Sequence, residues 1–407
     1  MKIRSVIGAG YGDEGKGLTV DALAHEALTA GEVTVIRVNG GAQAGHTVQT
    51  PDGRRHVFHQ FGAGSLAGAR THWSRDFVAS PMFWAAEREA LGALNGRVDA
   101  ISADPRTQVT TPWDVMINQA IEAARGLLRH GSCGMGFGET IERSERGWGI
   151  QIDDLASPDL AAKLNLIRQA WFPARMAEHG LDPSPHAGAA LDDGILRRFL
   201  EDCARMRTAV ETRPDADLAD ARFGTLITEG AQGLGLDMSV GAFPFVTRSH
   251  TGLRNVIRLA REVGASEVEA FYLTRAYATR HGAGPFPGEM SVAEWADVHD
   301  PTNAPNAWQG SLRVGSLDLD MMRGRIDADE GAARAGEVRV IRNVGVTCLD
   351  QLTGPARLII AAEERRSGVP EIDIAETLGG EIRLLSTAPH RGGVRLPERP
   401  AGLAAAM

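Results

Sequence analysis

Apolar positions fall along this chain in two textures. Short β-branched runs at residues 2–7 and 33–38 (Val33, Val35, Ile36 and Val38) each break off into glycines, and a helical period at 18–28 lies between them. Strand, glycine turn, helix and strand in that order predict a βαβ unit, hence α/β with a large central, mostly parallel sheet and ligands at the strands' carboxyl ends. Similar strand-like runs recur at 225–228, 269–273, 338–342 and 358–361. Between about 108 and 222 the texture changes. Helical periods such as 115–128 and 195–210 are joined by loops rich in Gly, Pro and Asp, which predicts a mostly helical insertion. Residues 297–317 are polar and prolyl and read as a long loop, and 401–407 as a frayed end. No internal repeat is visible.

The 407 residues suit one large domain with appended parts, or two ordinary ones, and length alone does not separate these. With 43% hydrophobic and 23% charged residues, and no apolar run near the roughly eighteen a membrane span needs, a soluble chain is expected. Met1 to Ile7 passes straight into a glycine turn and lacks the form of a secretory signal. Cys133, Cys203 and Cys348 make neither a metal spacing nor an even disulfide set, which suits a reducing, cytoplasmic setting. A net charge of -9 gives no general attraction for nucleic acid. Any phosphate site must be local.

Such a site is offered by Gly8-Ala9-Gly10-Tyr11-Gly12-Asp13-Glu14-Gly15-Lys16-Gly17, placed after a strand and before a helix. Glycines let backbone N–H groups converge, the helix N-terminus adds partial positive charge and Lys16 adds a full one. Lys16 is followed by Gly17 and not by Ser or Thr, so this is P-loop-like without being the usual P-loop. An ordinary tight turn would explain the glycines equally well. Asp13 and Glu14 tilt the balance, because carboxylates beside a phosphate are repulsive unless one binds a metal or takes a proton. A second glycine-rich turn, Asn39-Gly40-Gly41-Ala42-Gln43-Ala44-Gly45-His46-Thr47, also follows a strand. It should lie beside the first and bring His46 near Asp13 and Lys16, where an imidazole serves phosphoryl or proton transfer.

These two turns, with Glu229-Gly230-Ala231-Gln232-Gly233, Pro244-Phe245-Val246-Thr247, Ala276-Tyr277-Ala278-Thr279-Arg280 and Gly282-Ala283-Gly284-Pro285-Phe286-Pro287, occur in the order found in adenylosuccinate synthetases. Ser386-Thr387-Ala388-Pro389 also resembles a segment of that family, one that helps to hold the guanine nucleotide. The resemblance covers most of the chain, is weakest in the helical insertion at 108–222, and implies a single domain over 1–407 with 297–317 as the amine-donor loop.

It implies a C–N ligase in which GTP phosphorylates the 6-oxygen of IMP and the amine of L-aspartate then displaces that phosphate. Asp13 would take the purine N1 proton and coordinate Mg²⁺, His46 would stabilise the phosphoryl group in flight, and the Gly45 carbonyl would complete the metal shell. Lys16 with Gly12, Glu14, Gly15, Gly17 and Thr47 would bind the donor phosphates. The base would be held by Asp350, Ser386, Ala388 and Pro389. The acceptor nucleotide would contact Gln43, Gln232 and Thr247, with its phosphate near Ser132 and Cys133, which stand where the family has a threonine pair. Arg146 loosely matches an arginine supplied across a dimer interface, so a homodimer is implied.

Departures from the family cluster in the substrate segments. Its glutamine and tryptophan before the first core are here Gly10 and Tyr11, its asparagine in the second turn is Gln43, and an expected arginine is Met135. The amine-donor loop carries a run of arginines in the family. The matching stretch 309–315 here has Arg313 alone, beside Ser311. One guanidinium holds one carboxylate, so aspartate is the expected donor and another amine the alternative. The base-reading Thr-Lys-Leu-Asp is Thr347-Cys348-Leu349-Asp350, which keeps the carboxylate and loses the lysine, and favours GTP over ATP. The region between Asp350 and Ser386 is short, as in the 2-aminoadenylosuccinate synthetases, but those replace the aspartate that this chain keeps. A paralogue with an altered donor, a nucleotide phosphotransferase and a non-catalytic nucleotide binder are the competing readings. Retention of Asp13, Lys16 and His46 together speaks against the last.

Overall fold

Ten strands among the described residues form one sheet: β1 (Lys2–Gly8), β2 (Val33–Arg37), β3 (Arg70–Trp73), β4 (Ile101–Ala103), β5 (Glu211–Thr212), β6 (Thr225–Gly233), β7 (Glu267–Arg275), β8 (Arg339–Thr347), β9 (Glu381–Ser386) and β10 (Val394–Arg395). The computed structural model describes residues 1–291, 310–333 and 338–397. Across the sheet the order is β10-β9-β8-β7-β1-β6-β2-β3-β4-β5, and every neighbouring pair is parallel except β9 with β10. The chain leaves β1 for one half of the sheet and returns to the other half through β6 and β7, which flank β1. The carboxyl end of β1 is therefore the switch point at which such sheets bind ligands.

Period-two alternation assigns side chains to two cores. Val6, Val33 and Val35 pack on one face with Trp73, Trp113 and the first helix, Lys16–Ala27. Ile3, Ile7 and Ile36 pack on the other with Leu253 and Val256 of the helix Leu253–Glu262, Met322 of Leu319–Ala333 and Ile374 of Pro370–Leu378. Both faces are covered, which is why the central strands read as near-continuous apolar runs.

Residues 108–222 hold the helices Pro112–Arg125, Phe137–Arg143, Leu160–Leu166, Phe172–Glu178, Ser184–Ala190 and Asp193–Ala209 before the chain rejoins the sheet edge as β5. The first of these begins at Pro112, earlier than the apolar period alone places it. Thr111 and Asp114 close a capping box and Pro112 occupies the first turn, so the helix is fixed by its cap. Asp114 also pairs with buried Arg143 at 2.8 and 2.9 Å, which ties the helix Phe137–Arg143 to it.

One strand expectation is corrected. The run at 358–361 does form a strand, Ala356–Ile360, but outside the main sheet: it pairs with Leu317–Asp318 and antiparallel with Glu363–Ser367. Ala361 and Ala362 both adopt positive φ, 54° and 60°, and make a two-residue hairpin. So short a connection turns the chain back on itself and leaves no length for a parallel crossover. Of the expected loop at 297–317, residues 297–309 lie outside the described residues, as does the segment 401–407, and Arg313–Gly315 is a short strand paired with Ala278–Arg280.

Candidate active site

Most of the glycine-rich and polar segments singled out above lie at carboxyl ends of strands or just beyond them. The first turn follows β1, the second follows β2, Glu229–Gly233 ends β6, and 276–284 follow β7; Thr347 ends β8 and Ser386 ends β9. Parallel pairing therefore brings together at one edge groups that are far apart in sequence.

In the first turn Gly15 caps the helix Lys16–Ala27 from the left-handed region, at φ 72°. Gly17 is required by a close approach, since a Cβ there would sit 2.9 Å from the Thr47 carbonyl oxygen. The cradle is filled from within. Glu14 accepts from the Gly10 and Gly12 N–H groups at 3.1 and 2.7 Å, and Lys16 donates to Glu14 at 2.8 Å and to the Gly12 carbonyl. The carboxylate holds the place at which these donors converge.

His46 opens the strand His46–Gln49, and its Nδ1 bonds to Glu229 of β6. Glu229 also accepts from the Ala63 N–H at 3.0 Å and lies 3.8 Å from the buried guanidinium of Arg37. Burial alone would raise the Glu229 carboxyl, but His46 and Arg37 outweigh it and hold the group below its ordinary value. Burial lowers the His46 imidazole despite the pull of Glu229. A neutral ring donating from Nδ1 to an ionised carboxylate satisfies both directions.

Asp13 faces the cavity with Oδ2 at 3.0 Å from Nε2 of His281, and its backbone carbonyl accepts from Arg275. Burial raises this carboxyl, while His281, Arg275 and Lys16 together lower it further, so it stays ionised.

Asp13, Gly45 and His46 line one cavity of about 590 Å³, a size suited to a nucleotide-sized ligand. Gln43, Gln232, Thr247, Ser132 and Cys133 line it too. Both amide atoms of Gln43 and the Oε1 of Gln232 are buried without a hydrogen-bond partner among the described residues. Buried polar atoms are rarely left so, and these two face space that a ligand can fill. Gln232 also holds a left-handed backbone, φ 58°, a strain that non-glycine residues adopt mainly at functional sites. Ser132 donates to Asn118 at 2.9 Å, and burial pushes the Cys133 thiol up to about 11, so Cys133 is a neutral lining group.

Behind the first turn, Thr347 donates to the Glu14 carbonyl at 3.1 Å. Asp350 follows in an exposed turn, and the adjacent β9 ends at Ser386, whose hydroxyl donates to the Ala388 carbonyl at 2.9 Å beside exposed Pro389. The strand register Val346↔Leu385 makes these two segments neighbours. Thr47 is exposed on the hairpin with Val57.

Several expected residues are not part of the cavity lining: Lys16, Thr47, Asp350, Ser386, Ala388 and Pro389 flank it, and Arg146, Arg313 and Ser311 stand apart. Arg146 is engaged by Glu142 and Glu178, each at 2.6 Å. Arg313 is held by Glu289 at 2.6 and 2.8 Å and donates to the Gly284 carbonyl at 2.9 Å, while Ser311 is exposed. Conversely Glu229, Arg37 and His281 carry no role in the sequence reading. A carboxylate closing the apolar run 225–228 and a cation closing 33–36 are the signals that mark the first two. His281 sits between two matched blocks and gave no such signal.

An adenylosuccinate synthetase family model matches residues 5–368. The adenylosuccinate synthetase of Anaeromyxobacter sp. (strain Fw109-5) is 31% identical over 372 residues, 89% of this chain and 80% of that protein. The chain belongs to the adenylosuccinate synthetase family. It is accordingly a C–N bond-forming ligase of purine nucleotide synthesis. The enzyme of Thioalkalivibrio sulfidiphilus (strain HL-EbGR7) is 32% identical over 87% of this chain and 78% of its own. Among solved structures, fully ligated adenylosuccinate synthetase from Plasmodium falciparum superposes with a TM-score of 0.72 at 17% identity, covering 97% of this chain and 99% of that one. Cyanophage S-2L succinoaminodeoxyadenylate synthetase (PurZ), bound to dGMP and to dATP as an energy donor, gives 0.62 at 18% identity, covering 97% and 95%. These two likenesses establish the fold. Among the described residues no helix is long and apolar enough to cross a membrane.

Proposed function

We propose that this ligase uses a nucleoside triphosphate, GTP ahead of ATP, to phosphorylate the 6-oxygen of IMP or a related 6-oxopurine nucleotide. L-Aspartate or another amine then displaces the phosphate. The observation that carries the proposal is the convergence of Asp13, His46, Gln43, Gln232 and Thr247 on one cavity at the switch point of the sheet. Asp13, ionised and open to the cavity, takes the N1 proton; the N1–H electrons move into the ring and O6 attacks the γ-phosphorus as its bond to the leaving diphosphate breaks. An amide-like oxygen leaves poorly and a phosphate ester of it leaves well, so the amine then replaces inorganic phosphate.

His46 is oriented by Glu229 beside the space where phosphoryl charge develops, and the negative phosphates of a bound donor favour protonation of its other ring nitrogen, Nε2, which then donates to that charge. Lys16 and the turn amides bind the donor phosphates once those displace Glu14 from the point it fills. The Asp13 carboxylate and the Gly45 carbonyl are hard oxygen donors and suit Mg²⁺, which keeps the rest of its shell for phosphate oxygens and water. When bound, the ion would neutralise charge on the transferring phosphates. Asp350 with Ser386, Ala388 and Pro389 would hold the base, Ser132 and Cys133 the acceptor phosphate, and Arg313 with Ser311 the donor. Arg146, outward-facing, would act in a homodimer, and the enzyme would work in the cytoplasm. Nucleotide choice rests on Asp350, and PurZ, with its dATP, is a relative in which an adenine nucleotide serves.

The test is phosphate release from IMP with GTP or ATP, with and without a panel of amino acids. Release that needs both IMP and an amine is expected. Release indifferent to the amine would identify a phosphotransferase and overturn the ligation step.

A further inference from the structure

The imidazole of His281 and the carboxylate of Asp13 meet across the cavity wall at 3.0 Å, and neither the sequence comparison nor the proposed chemistry gives His281 any task. An ionised carboxylate only accepts, so the Nε2 of His281 is the donor in this bond. We infer that His281 is a positioning residue for Asp13: its hydrogen bond fixes one carboxylate oxygen and leaves the other to face the purine. The inference rests on the reading of Asp13 as the proton acceptor.

The support lies in how the turn is built. His281 follows Arg280, whose guanidinium is buried and donates to the carbonyls of Ala283 at 2.8 and 3.1 Å and of Pro285 at 3.1 Å, closing the turn on itself. From outside, Arg313 donates to the carbonyls of Gly282 at 3.2 Å and Gly284 at 2.9 Å. On a third side Gly131 lies so close that a Cβ there would come within 2.8 Å of the Gly282 Cα. A loop clamped in this way holds its imidazole in one place. The first turn, by contrast, has a glycine on one side of Asp13 and takes its rigidity from Glu14 and Lys16, whose bonds do not reach the Asp13 carboxylate. His281 supplies that constraint. A small misplacement of a reacting group costs up to about a hundredfold in rate, so the constraint is of catalytic size.

Steady-state phosphate release should be measured for His281→Leu, His281→Gln and Asp13→Asn beside the wild type, with thermal midpoints for each. His281→Leu should lower kcat by about ten- to a hundredfold with the acceptor KM and thermal midpoint little changed. His281→Gln, which keeps an N–H donor, should recover most of the loss. If His281→Leu is destabilised, the Gln variant against His281→Met, of similar length and without a donor, makes the same comparison. Unchanged kcat in His281→Leu, or equal defects with and without a donor, would overturn the positioning role while Asp13→Asn remains inactive. Full activity in Asp13→Asn would overturn the reading of Asp13 itself.

Discussion

The two walls of the proposed binding site are held in different ways. On the side of β1, β2 and β6, the polar side chains are buried and hydrogen-bonded within the fold: Lys16 is 2% exposed, His46 5% and Glu229 0%. Each has its partner from another strand end or its own turn. On the side of the donor stretch and the base-reading segments, Ser311, Asp350 and Pro389 are exposed. Buried ion pairs are costly to assemble and strongly destabilising to break singly, so the first wall keeps its geometry with no substrate present. On the proposed function the second wall would gain its partners from the ligand. Chemistry is built into the fold, and specificity is left to the surface, which is also where this chain departs most from its family.

If the contrast is right, the largest effect comes from the ionised group that the first wall presents. Asp13→Ala should abolish measurable turnover, because it removes the proposed acceptor of the N1 proton, while the thermal midpoint moves little. Normal turnover in a folded variant would remove the basis for the comparison. His46→Ala should cost about a hundredfold in kcat, the usual loss for one transition-state donor. Glu229→Gln tests whether the wall acts as a unit: it should lower kcat in the same direction and also destabilise the fold, since Arg37 is left beside a neutral group. A pure change in amine KM in either variant would show that these residues belong to the specificity wall.

Much of the first wall was legible in the sequence because its residues sit next to the structural signal. Asp13, Lys16 and His46 lie within or beside glycine turns that follow β-branched runs, and a parallel sheet places such turns together. The partnerships were not legible. Whether Glu229 meets His46, or His281 meets Asp13, depends on the register of β2 against β6 and on the path of a turn beyond β7, and no local pattern encodes either. The same limit misplaced the run at 358–361, whose apolar content is that of a sheet strand but whose following Ala361-Ala362 turn sends it into a hairpin.

The second wall offers smaller and more selective tests. Arg313→Ala should raise the donor KM about ten- to a hundredfold if its guanidinium leaves Glu289 to take the donor's α-carboxylate, the range expected for losing a charge-assisted bond. If instead it serves only to brace the 282–284 carbonyls, kcat should fall and the donor KM stay put. Arg248, which lines the cavity and is paired with Glu142 and Glu145, is the candidate for a second carboxylate, so a donor panel on Arg248→Ala would show whether the side-chain carboxylate of aspartate is read at all.

The smallest effect is expected at Asp350. Its carboxylate is exposed in the turn Leu349–Gln351, just beyond Thr347, which is tied to the first turn through the Glu14 carbonyl. A guanine offers two donors to such a carboxylate, N1–H and the 2-amino group, whereas an adenine offers neither in that pattern. Exchanging the carboxylate for an amide removes one acceptor and puts a donor against a donor. Because the site is open to water, the loss is that of a surface hydrogen-bond pair, about tenfold in the KM for GTP. Asp350→Asn should therefore weaken GTP and leave ATP nearly untouched, with kcat unchanged for both. Equal losses for the two nucleotides would mean that this exposed turn supports the phosphate cradle through Thr347 and has ceased to read the base, which would move Asp350 from the adaptable wall to the preorganised one.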